Sequence, residues 1–353
     1  MSRVARLAAL LEEPLLVIGL PGIEAGQAGV RYLTGLASSN SAVLVEPDGQ
    51  ATLYTDFRYL HRARALGVAD VVETPRGLVG ALGEILRGRR IGVEAEHVPY
   101  AAVRTLEEAG VDVVPRTGLV ESLRAVKDED ELAAIRRAAA LSDEVFAALS
   151  RERFSGRSEL ELVWWVERSF REAGAGIAFG TIVAAGPTGA SPHAEPGERT
   201  IEPGVLVTVD AGCVVDGYCS DCTRTFAVGE VSERLRELYA LCLDAQLAGL
   251  AAVAPGAHGR DVDAASRAPI EVVGLGSAYG HGLGHGVGLQ VHEAPVLRPE
   301  SSDVLEPGNV VTVEPGLYLP EEGIGLRIED LVLVTEDGCE RLTRFPKELL
   351  TVA

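Results

Sequence analysis

Four carboxylates in apolar surroundings and a group of histidines are the residues of this chain best suited to chemistry. Asp210 and Asp221 occur in VLVTVDAG and SDCTRTFAV, and Glu314 and Glu329 occur in VVTVEPG and GLRIEDLVLV. Because an unpaired carboxylate is costly to bury, carboxylates in strand-like segments need a partner charge. Imidazoles from the same part of the chain could share a cation with them. These candidates are His193, His281, His285 and His292.

The stretch VLVTVDAGCVVDGYCSDCTRTFAV predicts a β-hairpin that brings two of the carboxylates together. Asp216-Gly217 is a dipeptide typical of a tight two-residue turn. With such a turn Asp210 lies opposite Thr223, and Asp221 is its diagonal neighbour on the same sheet face, within reach of a common ion. A salt bridge is the alternative interpretation. The nearby base, Arg224, points to the opposite face from Asp221 by strand alternation.

An internal repeat relates this hairpin to a second segment. IEPGVLVTVDAG (201–212) recurs as LEPGNVVTVEPG (305–316), with seven of twelve positions identical. Asp210 aligns with Glu314, which predicts two half-domains that face one shared site. Glu329 follows Arg327 at strand spacing. That spacing fits an Arg-Glu ion pair and equally fits an arginine that orients a metal-binding carboxylate.

The segment YGHGLGHGVGLQVHEAP carries three of the histidines among glycines at 282, 284, 286 and 288. Alternating glycines let a backbone approach another group closely and leave the imidazoles unobstructed. No G-x-G-x-x-G register is present, which argues against a dinucleotide-binding loop.

Two domains are expected to position these residues, because the chain has 353 residues and its composition changes near residue 125. Residues 1–125 alternate apolar runs with helical segments, which predicts a small α/β domain. Its predicted strands are LLVIG, NSAVLVEP, ATLYTDF, ADVVET, RRIGVEAE and VDVVP. Residues 126–353 form the second expected domain, which carries all the candidate site residues.

Helices in the second domain are predicted from their N-terminal signals. Asp128 with Glu131, and Ser158 with Glu161, are typical of helix starts, and two more helices are expected over 232–254 and 261–272. The two tryptophans of the second helix are expected to pack in the core.

Composition excludes several classes of function. A net charge of −20 argues against a nucleic-acid partner, which requires a basic face. No apolar run reaches the roughly 18 residues that span a bilayer, so no membrane partner is expected. Glu12, Glu13 and Pro14 interrupt the first apolar segment, which argues against a secretory signal. An odd number of cysteines, five, predicts reduced thiols in a cytoplasmic protein.

The motifs DAG…SDCTRTF, HGLGHGVGLQVHE, VEPG and GLRIED closely resemble the pita-bread metallopeptidases, the family of methionine aminopeptidase, Xaa-Pro aminopeptidase and prolidase. VRYLTGL and SAVLVEPDGQATLYTDFRY resemble the smaller domain of the Xaa-Pro-cleaving members. The resemblance implies an α/β (α+β) fold class, in which a small creatinase/prolidase-like α/β domain precedes a pita-bread catalytic domain with a pseudo-two-fold internal repeat. It also implies a homodimer.

The resemblance implies a role for each site residue. Asp210 would chelate one metal ion, His285 and Glu314 the other, and Asp221 and Glu329 would bridge the pair. A hydroxide held between the ions would attack the scissile carbonyl, and Glu314 would shuttle a proton. His193 and His292 match two histidines that hydrogen-bond the substrate and the developing intermediate. His281 and Arg327 are assigned to supporting or substrate contacts.

The implied cofactor is a pair of divalent ions. A ligand set of four carboxylates and one imidazole favours Mn²⁺, with Co²⁺, Fe²⁺ and Zn²⁺ as alternatives. The expected activity removes the N-terminal residue from short peptides, as an Xaa-Pro aminopeptidase or Xaa-Pro dipeptidase. Some similar prolidases carry a basic residue soon after HE-x-P. Here Val296 occupies the nearest position and Arg298 follows, so an aminopeptidase of broader specificity competes.

Two further alternatives are a catalytically silent peptide-binding relative and a metal-free amidinohydrolase that resembles creatinase. Both would be expected to lack metal ligands. Five matching ligand positions in one chain therefore argue against both.

Overall fold

The computed structural model describes all 353 residues and divides into two compact units, Met1–Arg124 and Ala125–Ala353. No helix in it is long and apolar enough to cross a lipid bilayer.

The first unit is built on a six-stranded mixed sheet. Its strands are Leu15–Gly19 (β1), Ser41–Val45 (β2), Ala51–Thr55 (β3), Asp70–Glu73 (β4), Arg90–Glu94 (β5) and Asp112–Arg116 (β6). Its helices are Arg3–Ala8 (α1), Glu24–Thr34 (α2), Leu60–Leu66 (α3), Leu78–Ile85 (α4), Tyr100–Glu108 (α5) and Leu119–Ala125 (α6). The sheet order is β4-β3-β2-β1-β5-β6. Strand β2 pairs antiparallel with both β1 and β3, and the other three pairs, β3-β4, β1-β5 and β5-β6, are parallel. All six predicted strands are confirmed, because each is an apolar run bounded by turn residues.

Four long helices belong to the second unit. They are Glu129–Leu149 (α7), Glu159–Glu172 (α8), Glu233–Ala252 (α9) and Gly259–Val272 (α10). Asp128 and Ser158 each form a complete capping box with the glutamate three residues later, so both predicted helix starts are confirmed. One prediction about α8 is half wrong: Trp165 packs against the core, but Trp164 remains 64% exposed.

The strands of the second unit are shorter and form several sheets. They are Gly176–Ile177 (β7), Ile182–Ala185 (β8), Leu206–Ala211 (β9), Cys213–Val215 (β10), Tyr218–Cys219 (β11), Cys222–Val228 (β12), Gly284–Gly286 (β13), Glu293–Leu297 (β14), Val310–Val313 (β15), Gly316–Leu319 (β16), Ile324–Arg327 (β17), Asp330–Thr335 (β18), Gly338–Arg341 (β19) and Thr351–Val352 (β20). Short 3₁₀ helices cover Gly186–Ala190, Gly276–Ala278 and Pro320–Glu322.

The second unit has two similar halves. In the first, α7 and α8 cover the sheet β20-β12-β9-β8, and their apolar faces enclose Phe146, Phe170 and Phe226. In the second, α9 and α10 contribute to the core that lines the sheet β14-β13-β15-β18-β19. The repeated sequences supply β9 and β15, and the turn before each contains a left-handed glycine, Gly204 or Gly308. The repeated sequence therefore corresponds to a repeated fold, in which each copy delivers a carboxylate to the centre.

Candidate metal centre

A broken hairpin carries the two aspartates. The turn at Asp216-Gly217 has two residues, both with positive φ, and Thr223 lies opposite Asp210, so the predicted register is confirmed. The hairpin is not continuous: β9 and β12 belong to one sheet, whereas β10 and β11 join β7 in another. A Cβ at Gly212 would clash with the Ser220 carbonyl oxygen, so glycine is required where the chain changes sheets. Asp221 lies at this break.

The other three ligand candidates come from three separate segments of the second half. His285 is in β13, Glu314 directly follows β15, and Glu329 lies between β17 and β18. The glycines beside His285 permit a close approach, as expected, and the group approached is this chain's own backbone. A Cβ at Gly284 would clash with the Thr312 carbonyl oxygen, so glycine lets β13 lie close against its neighbour.

The five side chains meet in one cluster. Ligand oxygens of Asp210, Asp221 and Glu329 all lie within 4.8 Å of one another. The His285 Nε2 atom is 3.2 Å from Glu314 Oε1 and 3.8 Å from Asp221 Oδ2. Every residue of the cluster is buried or half-buried. Residues far apart in sequence are thus brought to one small volume that is rich in negative charge.

Burial and mutual repulsion perturb these carboxyls. Burial raises the pKa values of Asp221 and Glu329 well above their ordinary range, and repulsion from neighbouring carboxylates adds to the rise. Burial also raises the pKa of Asp210, although the Arg327 charge opposes it. Such a cluster is electrostatically unfavourable until a positive charge compensates it.

Glu314 and His285 form the exception, because they compensate each other. Burial alone would raise the pKa of Glu314, but the hydrogen bond and the charge of His285, together with other nearby positive charges including Arg327, outweigh that effect and lower the pKa to about 2. Burial would likewise lower the pKa of His285, and the contact with Glu314 reverses the shift and raises it. The positive charge of the His285 imidazolium thus partly compensates the carboxylates in place of a metal ion.

Arg327 has a different partner from the one considered in the sequence. Its guanidinium donates to Asp210 Oδ2 at 2.5 Å, lies 3.9 Å from Glu314 Oε2, and also donates to Thr223 Oγ1 at 3.1 Å. The hydroxyl of Thr223 in turn donates to Glu329 Oε2 at 2.7 Å. Arg327 is therefore linked to Glu329 through a threonine and makes its direct ion pair across the two halves, with Asp210.

Two threonines and a tyrosine that contact the site residues were not identified as functional from the sequence. Thr223 links Arg327 and Glu329, and Thr312 accepts the His285 backbone N–H at 3.0 Å while contacting Glu314 Oε1 at 3.2 Å. The Tyr318 hydroxyl accepts from Arg327 at 2.8 Å. The repeated VTV motif was the signal for Thr312, because its hydroxyl lies two residues before a ligand candidate on the same strand face.

His281 ends a hydrogen-bond chain that starts at Arg327. Its Nδ1 lies 2.7 Å from the Gly282 carbonyl oxygen, so that nitrogen donates, and its Nε2 is left to accept from the Tyr318 hydroxyl at 3.1 Å. Burial lowers the pKa of His281, which agrees with a neutral ring. The structure thus places His281 in contact with the support of Arg327 and outside the five-residue cluster.

The other two histidines stand at the edge of the same pocket, whose volume is about 470 Å³. His193 and His292 are both exposed, and the His292 ring lies edge-on to that of His285 with centroids 4.2 Å apart. Burial and the neighbouring His285 charge lower the pKa of His292. Apolar side chains also line this pocket, and they are Phe179, Ile182, Val291 and Val296.

The residues present fit divalent cations. Asp210 Oδ1 is buried within the acidic cluster and has no hydrogen-bond partner. A buried oxygen without a partner is unfavourable, and a bound cation would satisfy it. His285 Nδ1 lies 3.1 Å from the Gly286 carbonyl oxygen, an arrangement that frees Nε2 to act as a ligand. An oxygen-rich set with one imidazole suits Mn²⁺, Co²⁺ or Fe²⁺.

Comparison with known proteins finds matches to both units of the chain. Residues 133–336 match the model of metallopeptidase family M24, and residues 8–126 match the creatinase/prolidase N-terminal domain. The chain is 34% identical over 325 residues to an Xaa-Pro dipeptidase of Pyrococcus furiosus, covering 91% of this chain and 92% of that protein. It is 37% identical to an uncharacterized peptidase, YqhT, of Bacillus subtilis, over 94% of this chain and 96% of that one.

Solved structures of related peptidases share the fold of this chain. An Xaa-Pro dipeptidase from Bacillus anthracis superposes with a TM-score of 0.92 at 36% identity, covering 99% of both chains. An X-Pro aminopeptidase from Thermotoga maritima gives 0.89 at 32% identity, covering 98% of this chain and 100% of that one. The fold is the α/β prolidase architecture with a pita-bread catalytic domain. The chain is a hydrolase of metallopeptidase family M24 and carries the creatinase/prolidase N-terminal domain in front of its catalytic unit.

Proposed function

We propose that this chain is a dinuclear-metal exopeptidase that removes the N-terminal residue from short peptides at Xaa-Pro bonds. The observation that carries the proposal is the cluster in which oxygens of Asp210, Asp221 and Glu329 lie within 4.8 Å of one another, with Asp210 Oδ1 unpartnered. The names of similar proteins, Xaa-Pro dipeptidase and X-Pro aminopeptidase, support the choice of bond.

Each ligand candidate has a proposed place. Asp210 would hold one ion, and His285 with Glu314 the other. Asp221 and Glu329 would lie between the two. When bound, such a pair of cations acidifies a shared water and polarises the scissile carbonyl. Manganese is the proposed metal because the ligand set is oxygen-rich.

The protein's own groups would handle protons and orient the substrate. Glu314 is the proposed proton shuttle to the leaving nitrogen, because its carboxylate lines the pocket beside the other ligand candidates. His193 and His292 stand at the rim of the pocket and could donate hydrogen bonds to a substrate carbonyl. Arg327 would hold Asp210 in place.

The preferred length of the substrate depends on which residue of the pocket could bind the C-terminal carboxylate of a dipeptide. Val296 lines the pocket where a basic residue would serve a strict dipeptidase, and this favours an aminopeptidase that accepts longer peptides as the second candidate. Arg298 also lines the pocket, is exposed, and could hold a short substrate's carboxylate instead.

A matched peptide panel distinguishes these activities. Ala-Pro, Ala-Pro-Ala and Ala-Ala-Ala would be assayed with Mn²⁺-loaded protein, alongside Arg298→Met. Xaa-Pro specificity requires the tripeptide without proline to react at least tenfold more slowly, and equal rates would contradict it. A dipeptidase that uses Arg298 should show a raised KM for Ala-Pro in the variant and an unchanged KM for Ala-Pro-Ala. We also propose a homodimer, which sedimentation would test.

A further inference from the structure

A buried charged network lies behind Glu329 and is separate from the groups that face the pocket. Its centre is Arg224, whose residue is only 1% exposed. The guanidinium donates to backbone carbonyls of Thr223 at 2.9 Å, Phe345 at 2.7 Å and Pro346 at 3.0 Å. It also donates to the Glu329 carbonyl oxygen.

Arg224 makes two further bonds, to Asp330 Oδ1 at 2.8 Å and to Cys222 Sγ at 3.5 Å. A guanidinium has five N–H groups on three nitrogens, and each of the three nitrogens here has at least one acceptor. Lysine could not reproduce this pattern, because an ammonium offers three donors from one point. The arginine is therefore specified by geometry as well as by charge.

The Asp330 carboxylate also accepts hydrogen bonds from three other side chains. Lys347 Nζ lies 2.8 Å from its Oδ2, Gln246 Nε2 donates to the same oxygen at 3.1 Å, and the Thr343 hydroxyl donates to Oδ1 at 3.1 Å. Residues 343–347 thus supply two side chains to Asp330 and two carbonyls to Arg224. Asp143 of α7 anchors the segment by accepting the backbone N–H of Phe345 at 2.8 Å.

Glu329 is fixed at each of its polar groups by this arrangement. Its backbone N–H donates to the Thr223 carbonyl at 3.1 Å, its own carbonyl accepts from Arg224, and its carboxylate accepts from the Thr223 hydroxyl. The next residue, Asp330, is the anchor of the network. No regular strand holds Glu329, which lies between β17 and β18, so these individual hydrogen bonds define its position.

We propose that residues 343–347 act as a C-terminal clamp that positions Glu329, through Arg224 and Asp330, and thereby sets the affinity of the site for its cations. Arg224, Thr343 and Lys347 are positioning residues, since none of them is placed among the ligands. The inference rests on the proposed role of Glu329 as a cation ligand. Groups that orient metal ligands typically change metal affinity by roughly 10–100-fold when removed.

The test measures metal affinity and stability separately. Full-length protein stripped of metal would be titrated with Mn²⁺ by calorimetry, and its urea unfolding midpoint would be recorded, for Thr343→Val, Lys347→Met and Arg224→Lys. The control is Ser158→Ala, which removes the cap of α8 in the same unit without touching the clamp. We expect at least tenfold weaker Mn²⁺ binding in the clamp variants, unchanged affinity in the control, and substantial recovery of kcat at saturating Mn²⁺.

Two results would overturn the inference, and they differ in meaning. Clamp variants that lose stability while binding Mn²⁺ as tightly as the control would show a purely structural role and leave the proposed function intact. Wild-type protein that binds no Mn²⁺, Co²⁺ or Fe²⁺ would overturn both proposals. Thr343→Val decides the question should Arg224→Lys not fold, because it removes one hydroxyl and leaves every charge in place.

Discussion

Hydroxyl groups hold the carboxylates of this site as directly as charges do. Thr223 contacts Glu329 and Arg327, and Thr312 contacts Glu314 and the His285 backbone. Each threonine thus connects a carboxylate to a second group of the site. These hydrogen bonds therefore preorganise the acidic cluster before any cation binds, a condition that favours tight and geometrically defined coordination.

Replacing Thr223 by valine tests this role at nearly constant volume. We expect Thr223→Val to weaken Mn²⁺ binding by roughly 10–100-fold, because Glu329 loses its hydroxyl donor, and Thr223→Ser to retain affinity. Thr208→Val is the matched control, since Thr208 bonds to Thr225 on the same face of the hairpin and contacts no carboxylate. Equal Mn²⁺ affinities in Thr223→Val and the control would refute the role, as measured by calorimetric titration.

Glu94 gives a pH-dependent prediction in the first unit. Burial, followed by the nearby Glu121 charge, raises the pKa of Glu94 to about 8. Because the unfolded pKa lies near 4.5, the folded chain binds an extra proton between about pH 4.5 and pH 8, and stability falls as pH rises through that window. Above pH 8 the full penalty is present, on the order of a few kcal/mol.

Glu94→Gln removes this penalty and keeps an acceptor for the Val120 backbone N–H. We expect the variant to be more stable than wild type at pH 8.5 and no more stable at pH 4.5. Urea unfolding followed by circular dichroism at both pH values checks this. A stability gain of the same size at both would contradict the assigned protonation.

At the scale of elements, the sequence predicted what local signals specify. The capping boxes of α7 and α8, the strands of the first unit and the Asp210–Thr223 register all follow from patterns within a few residues. The break of the hairpin was not predictable in this way. It depends on the approach of Ser220 to Gly212, which only the assembled sheets reveal.

The repeat provides a paired test of element geometry. Gly204 and Gly308 have φ values of 90° and 94°, so alanine at either costs roughly 1–2 kcal/mol of stability. At Gly308 a Cβ would also lie 3.0 Å from Val126 Cγ1, whereas at Gly204 the nearest atom is 3.8 Å away. We expect Gly308→Ala to be the more destabilising in urea unfolding. Equal losses would show that the Val126 contact relaxes without cost.

At the scale of the whole molecule, the internal repeat explains where the site lies. Each copy delivers one carboxylate, Asp210 or Glu314, and Arg327 from the second half pairs with Asp210 of the first. The repeat and the ligand candidates could be identified from sequence alone. The partner of Arg327 could not be identified in this way. Strand spacing places Arg327 beside Glu329 in sequence, but its direct ion pair is with Asp210, 117 positions away.

The central claim is that this acidic centre works only with divalent cations. The most direct measurement is hydrolysis of an Xaa-Pro peptide by chelator-dialysed protein, followed by addition of Mn²⁺ or Co²⁺ and a count of ions bound per chain. We predict that dialysis abolishes activity, that either metal restores it at two ions per chain, and that Asp221→Asn is not restored. Hydrolysis that is indifferent to chelation would show that this centre does not depend on divalent cations.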